Sequence, residues 1–211
     1  MLNNILNNII VKHALKTALV MIIFAFVGTL ILAYTANITK APIEKSERQA
    51  KLDLFRDIVP DNMHDNDLLK DSITVPADAL LGVDAPQEVH RARLAGKPSA
   101  LIMEAIAPDG YSGNIKLLIG VKADGSLAGV RVSLHKETPG LGDYIDIKHG
   151  NWIKGFDGQS LATQTATDWQ VKKDGGKFDY MAGATISPRA VVKAVHKALQ
   201  YVANNKEMLF K

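Results

Sequence analysis

Apolar and polar positions divide the chain into three regimes. From Thr17 to Thr39 no residue is charged, and the run Ala18–Ala36 is almost wholly apolar. As a helix, these 23 residues reach roughly 34 Å, enough to cross a hydrocarbon core of about 30 Å. A cleaved leader would have a shorter apolar region, about 7–15 residues, ending in a small-x-small site. Here Tyr34 occupies the position where that site needs a small side chain. The pattern therefore predicts a membrane-spanning helix over 17–39. A juxtamembrane helix follows over 40–60, opened by Pro42 in its first turn and closed by Pro60, with Ile43, Ala50, Leu54 and Ile58 on one face.

The third regime, 61–211, reads as one domain. Residues 61–87 are polar and turn-rich and receive no assignment. Alternation then predicts strands at Glu88–Leu94, Ala100–Ala107, Asn114–Val121 and Leu127–His135, with turns at Ala95–Pro98, Pro108–Gly110 and Asp124-Gly125. Ser160–Asp168 reads as a polar loop or short helix. Trp169–Lys173 and Lys177–Tyr180 flank Asp174-Gly175-Gly176 as a further hairpin. Val191, Val195, Ala198 and Val202 repeat at helical spacing and predict a helix over Ser187–Asn205. Successive hairpins followed by a packed helix give an α+β class.

Charge sharpens the topology. The chain has 25 Lys and Arg against 22 Asp and Glu, a formal net charge of +3. Lys12 and Lys16 precede the apolar run with no acid before it, so the excess sits largely at the N-terminus. That bias places 1–16 in the cytoplasm and 40–211 outside, which in a bacterium is the periplasm. With no strongly basic domain, nucleic acid is not an expected partner. There are no cysteines, which excludes thiolate metal sites, iron–sulfur clusters, disulfides and thiol nucleophiles. Phosphate-binding P-loops, dinucleotide fingerprints, nucleophile elbows and zincin motifs are also absent from the sequence.

Two stretches carry candidate chemistry. In Asp179-Tyr180-Met181-Ala182-Gly183-Ala184-Thr185-Ile186-Ser187-Pro188-Arg189, the small Gly183 and Ala184 let a ligand approach the backbone. Ser187-Pro188 reads as an N-cap followed by a first-turn proline, and a helix start favours an anion such as phosphate. Thr185 places a hydroxyl beside that start. Two readings fit: a phosphate site next to a modifiable Thr, or an ordinary tight turn into a helix. The second stretch, His135-Lys136-Glu137-Thr138-Pro139-Gly140-Leu141-Gly142-Asp143, is a rigid loop leaving a predicted strand. His135 and Glu137 could face one way as a metal pair. With no third ligand nearby they read as solvated or structural, and His13, His64, His90, His149 and His196 read as surface or structural positions.

The Asp-x-x-x-Gly-Ala-Thr pattern before a capped helix resembles the flavinylation motif of FMN-binding domains in two respiratory complexes. These are the Rnf-type electron transport complex and the sodium-translocating NADH:quinone oxidoreductase. The loop His135–Asp143 is similar to the HxETPGLGD segment of the Rnf G subunit, and Ala107–Gly113 to that family's APDGYSG turn. In order, these blocks favour the Rnf G subunit over the C subunit of the quinone oxidoreductase. The resemblance implies FMN attached by a flavin transferase through a phosphoester to Thr185. It places Gly183, Ala184, Ser187, Glu137, Thr138, Gly140, Leu141, Gly142, Tyr111 and Ser112 around the cofactor. The family's usual Ser or Thr before Gly-Ala-Thr is Ala182 here; that hydroxyl is not the acceptor, so attachment is expected to survive. The implied role is an electron relay at the inner membrane, partnered by the other Rnf subunits, with no substrate site of its own. A membrane-anchored, non-redox binding or sensing domain is the rival class.

Overall fold

The computed structural model describes residues 2–211; Met1, in the predicted cytoplasmic terminus, lies outside them. The chain divides into two compact units, Met1–Lys51 and Leu52–Lys211. A first helix, α1, runs over Leu2–Ile58. It is the one helix among the described residues long and apolar enough to cross a membrane, and it fits a single-pass anchor. Phe24, Leu32 and Met21 project outward, each more than two-thirds exposed, as a lipid-facing surface requires. Thr29 and Thr35 each donate their hydroxyl to the carbonyl four residues back, at 2.8 Å, so neither carries an unsatisfied donor into hydrocarbon.

The sequence places a helix boundary near Pro42. Instead α1 continues through it, with Pro42 in its interior. Proline removes one i→i−4 hydrogen bond, here without ending the helix.

The second unit is built on a five-stranded antiparallel meander in the order β1-β2-β3-β4-β5. The strands are β1 (Ser72–Val75), β2 (Gln87–Leu94), β3 (Lys97–Gly110), β4 (Gly113–Lys122) and β5 (Leu127–Leu134). Period-two alternation splits the side chains between two cores. Leu101, Met103 and Ala105 of β3 and Leu117 and Ile119 of β4 face one core, closed by helix α2 (Ile186–Asn204) through Val191, Val195, Ala198 and Val202. Ala100, Ile102 and Leu118 face a second core, formed with Phe55, Ile58 and Val59. Each fully buried Val or Leu contributes roughly 1.5–3 kcal/mol, so both faces of the sheet hold the unit together. A final short helix, α3, covers Lys206–Leu209.

Four details depart from the sequence reading. β1 lies in the unassigned 61–87 stretch and pairs with β2, Ile73 opposite Val89; four residues are too few to show a period. The turn expected at Pro108–Gly110 is strand, because a bulge between Ala107 and Gly110 takes up Pro108, which has no N–H to donate. The hairpin expected over Trp169–Tyr180 is a 3₁₀ turn at Lys172–Asp174 with a single parallel bridge, Val171 to Phe178. Trp169, Val171 and Phe178 enter the core with exposed Gln170, Lys177 and Asp179 between or beside them, so the burial alternates as in strands although no ladder forms. Lastly, α2 begins at Ile186, which makes Thr185 its N-cap residue and moves Ser187 into the first turn.

Candidate functional site

Three segments converge on one cavity of ≈ 150 Å³. The turn after β3 contributes Tyr111; the loop after β5 contributes Glu137, Thr138, Leu141 and Gly142; the turn into α2 contributes Gly183, Ala184, Thr185, Ile186 and Ser187. Nine residues singled out by sequence therefore line one space. Ser112 and Gly140 are not among the lining residues. Ser112 supports the wall instead, donating its N–H to Glu137 Oε1 at 3.1 Å. Gly140 turns the loop in a left-handed conformation, φ 74°, which only glycine adopts readily.

Each wall has an identifiable local cause. The Thr138 carbonyl accepts the N–H groups of both Leu141 and Gly142 at 3.1 Å, which curls the Pro139-Gly140 segment. A Cβ at Gly142 would lie 2.7 Å from Glu137 Oε2 and 3.2 Å from Glu137 Cβ, so any larger residue there must displace that side chain. Ser187 is buried, and its Oγ accepts the Tyr111 N–H at 3.4 Å. The residue expected to cap α2 thus ties the helix to the β3–β4 turn. Gly183 sits at φ 87°, and the turn it makes is clamped by Tyr144. That phenol oxygen accepts the Met181 N–H at 3.1 Å and donates to the Ala184 carbonyl at 3.2 Å. Burial pushes the Tyr144 phenol above its ordinary pKa despite the Met181 hydrogen bond, so Tyr144 keeps its proton and both bonds.

Thr185 occupies the N-cap position with φ −96° and ψ −14°, and its side chain makes no capping hydrogen bond. Its hydroxyl lies instead 3.5 Å from Arg189 Nη1. Arg189 is held by Asp174, whose carboxylate accepts from Nε at 2.5 Å and from Nη2 at 2.7 Å. That pair holds Asp174 below the usual carboxylate range and Arg189 above the usual guanidinium value. The Thr185 hydroxyl thus lies at the positive end of a 19-residue helix and beside a fixed guanidinium, a setting that stabilises an anion. Asp179 stands at the far end of the same turn. Its carbonyl accepts from Trp152 Nε1 at 2.7 Å and its carboxylate pairs with Lys172.

Residues 110–200 match the model of the FMN-binding domain, and residues 1–58 match that of the RnfG N-terminal region. Among curated relatives, the G subunit of the ion-translocating oxidoreductase complex of Pseudomonas aeruginosa is 49% identical over 198 residues, covering 94% of this chain and 92% of the relative. The G subunits of the same complex from Vibrio cholerae and Shewanella baltica are each 43% identical, over 92% and 93% of this chain and 92% of the relatives. The chain belongs to the family of ion-translocating oxidoreductase complex G subunits.

In this G subunit, Ile186, Tyr144 and Arg189 belong to the site's surroundings, although their sequence positions alone do not mark them. Ile186 follows once α2 is known to start one residue early. Tyr144 and Arg189 act through backbone and side-chain geometry that no spacing reveals. His135 and Glu137 do not pair: Glu137 lines the cavity, whereas His135 Nε2 lies 3.8 Å from Asp146 Oδ2.

Proposed function

We propose that the chain is a membrane-anchored electron carrier that holds FMN through a phosphoester to Thr185, acting as the G subunit of an Rnf-type complex. One observation carries the reading. The Thr185 hydroxyl is uncapped, lines the cavity, and lies at a helix N-terminus beside Arg189. The residues present suit a phosphoryl group. Gly183 and Ala184 offer no bulk, Pro188 presents no competing donor, and the helix start and Arg189 supply positive charge.

When bound, FMN supplies the electron-accepting group that the chain's own side chains lack. The protein's part is position and electrostatics. Tyr144 fixes the turn that carries Thr185. Arg189 and the first-turn N–H groups of α2 balance the charge of a phosphodiester. Glu137, held by the Ser112 N–H, forms the opposite wall. Ligand pockets usually span about 300–1,000 Å³, so a cavity of ≈ 150 Å³ encloses only part of such a cofactor. The remainder is left at the surface, where a redox partner can approach it. In this reading Lys12 and Lys16 hold the N-terminus in the cytoplasm, the FMN-binding domain lies in the periplasm, a flavin transferase performs the attachment, and the assembled complex couples electron transfer to ion movement.

The test is co-expression of the full chain with a flavin transferase. A denaturing gel should show an ultraviolet-fluorescent band that disappears in Thr185→Ala. An unmodified wild-type band, with the transferase active on a second target, would overturn the covalent assignment.

A further inference from the structure

We propose that His135, Asp146 and His149 form a binding site for a divalent transition-metal ion, separate from the FMN cavity. One ligand atom from each lies within 4.8 Å of the other two. Donors bound at about 2.0–2.2 Å in a tetrahedral shell stand roughly 3.3–3.6 Å apart. His135 Nε2 and Asp146 Oδ2 are already at 3.8 Å, too far for a direct hydrogen bond and close to the spacing of two ligands sharing an ion. The side chain of His149 is 50% exposed, which leaves room for the small shift that closes the remaining distance.

Three further features fit this assignment. Asp146 anchors its own turn: its carbonyl accepts the N–H groups of His149 and Gly150 at 2.9 and 3.1 Å, and its Oδ1 accepts the Lys148 N–H at 3.1 Å. Oδ2 is then left toward His135. Asp143 Oδ2 lies 3.5 Å from His149 Nδ1, which favours the tautomer carrying its proton on Nδ1 and presents Nε2 as a ligand. Such carboxylate–histidine pairs commonly orient metal ligands. Finally, Asp143 and Asp146 are only 5% and 9% exposed, yet among the described residues neither forms an ion pair with a lysine or arginine. Their neighbours of opposite polarity are the imidazoles of His135 and His149. Buried carboxylates are normally paired or ligating, and a dication held by these groups would place a full positive charge beside both.

Two imidazoles and one carboxylate, without thiolate, suit Zn²⁺ and its first-row neighbours better than Mg²⁺ or Ca²⁺, and leave at least one position for water. Binding also reaches the neighbouring loop. His135 Nδ1 accepts the Glu137 N–H at 3.1 Å, so the neutral ring carries its proton on Nε2. An ion at Nε2 sends that proton to Nδ1, where it opposes the Glu137 N–H and breaks the hydrogen bond. Glu137 lines the cavity described above, so metal occupancy is transmitted to that wall whether or not Thr185 is modified.

The test uses the full chain in detergent micelles, stripped with EDTA. Co²⁺ titration should give a saturable visible spectrum at one ion per chain, displaced by Zn²⁺. Asp146→Asn and His149→Ala should each weaken binding about tenfold or more, Asp143→Asn by about 10–100-fold, and His13→Ala not at all. The exposure of His149 keeps its variant folded, which unchanged metal-free thermal unfolding verifies. Hydrogen exchange at the Glu137 amide should speed up when Zn²⁺ binds. No saturable Co²⁺ spectrum, or one that survives in the Asp146→Asn, His149→Ala double variant, overturns the site. Binding with unchanged Glu137 exchange overturns the transmission to the cavity.

Discussion

Replacing Gly142 with alanine tests whether Glu137 is a fixed wall of the cavity. The new Cβ would meet Glu137 Oε2 at 2.7 Å and Glu137 Cβ at 3.2 Å. The carboxylate cannot retreat freely, because the residue is 5% exposed and Oε1 accepts the Ser112 N–H at 3.1 Å. Losing that hydrogen bond costs roughly 1.5–3 kcal/mol, and forcing the loop outward instead costs about 1–3 kcal/mol. Alanine restrains the unfolded chain more than glycine does, which offsets about 0.4–1 kcal/mol. The net expectation is a loss of about 1–2 kcal/mol. For a chain of this size that lowers the midpoint of thermal unfolding by roughly 2–8 °C.

A double-mutant cycle isolates the contact. In a Glu137→Ala background the new Cβ meets no carboxylate and only the Cβ of residue 137 at 3.2 Å, so Gly142→Ala should cost much less than in the wild type. The coupling between the two positions should be about 1.5–3 kcal/mol. Gly140→Ala is the control. It lies two residues away at φ 74° with nothing within 4 Å of its Cβ, so it should cost about 1–2 kcal/mol from backbone strain in both backgrounds. The measurement is thermal unfolding of the full chain and its variants in one detergent. A Gly142–Glu137 coupling near zero would refute the pinned carboxylate and the wall built on it.

Two other predictions concern charges. Arg189→Ala removes the guanidinium beside half-buried Thr185 and its pair with exposed Asp174. A surface ion pair contributes little, so unfolding should barely change while the flavinylated fraction, read by intact mass, falls several-fold. Full modification of that variant would remove Arg189 from the phosphoryl site. At the sheet edge, burial raises the Asp71 carboxyl, but hydrogen bonds from Arg93 and Arg91 outweigh it and hold the group below its ordinary value of 3.8. A depressed folded pKa means that this stabilisation is complete above the unfolded value and is lost as pH falls through the folded one. Unfolding midpoints measured from about pH 6 to about pH 3 should therefore drop less steeply in Asp71→Asn than in wild type. Parallel curves would show that the Arg pair does not lower the Asp71 pKa.

The parts of this architecture legible in sequence are those governed by period and by small-residue turns. β2 to β5 and α2 declare themselves through alternation or helical spacing, and the apolar run of α1 through its length. β1, at four residues, has no period to read. The Trp169–Tyr180 segment misleads because Trp169, Val171 and Phe178 alternate with exposed neighbours as strand residues do, yet the chain closes a 3₁₀ turn and pairs through a single bridge. The site divides in the same way. Thr185, Gly183 and the Glu137–Gly142 loop are visible as motifs, whereas Tyr144 and Arg189 act through contacts formed only after α2 has packed on the sheet. Ser187 has the residue type and the following proline of a helix cap. Because α2 starts one residue early, the Ser187 hydroxyl serves another turn instead.

The open cavity and the absence of cysteine bear on one another. A protein that binds a diffusible redox group by enclosure needs a large, well-walled pocket, and thiolate-held centres need Cys. This chain has a space of ≈ 150 Å³ and no Cys. Under the proposed function a bond retains the cofactor in such a shallow site. Of the two cavity-lining hydroxyls at the start of α2, that of Ser187 accepts the Tyr111 N–H, which leaves that of Thr185. The same shallowness leaves Tyr111, Leu141 and Ile186 exposed around the mouth. Under the proposed function that exposure is functional. An electron relay must bring its cofactor's edge near a partner's, and a covalent tether permits this without deep burial. If FMN were instead bound reversibly, denaturation would release it, and the same gel that tests Thr185 would show a dark band beside fluorescent free flavin.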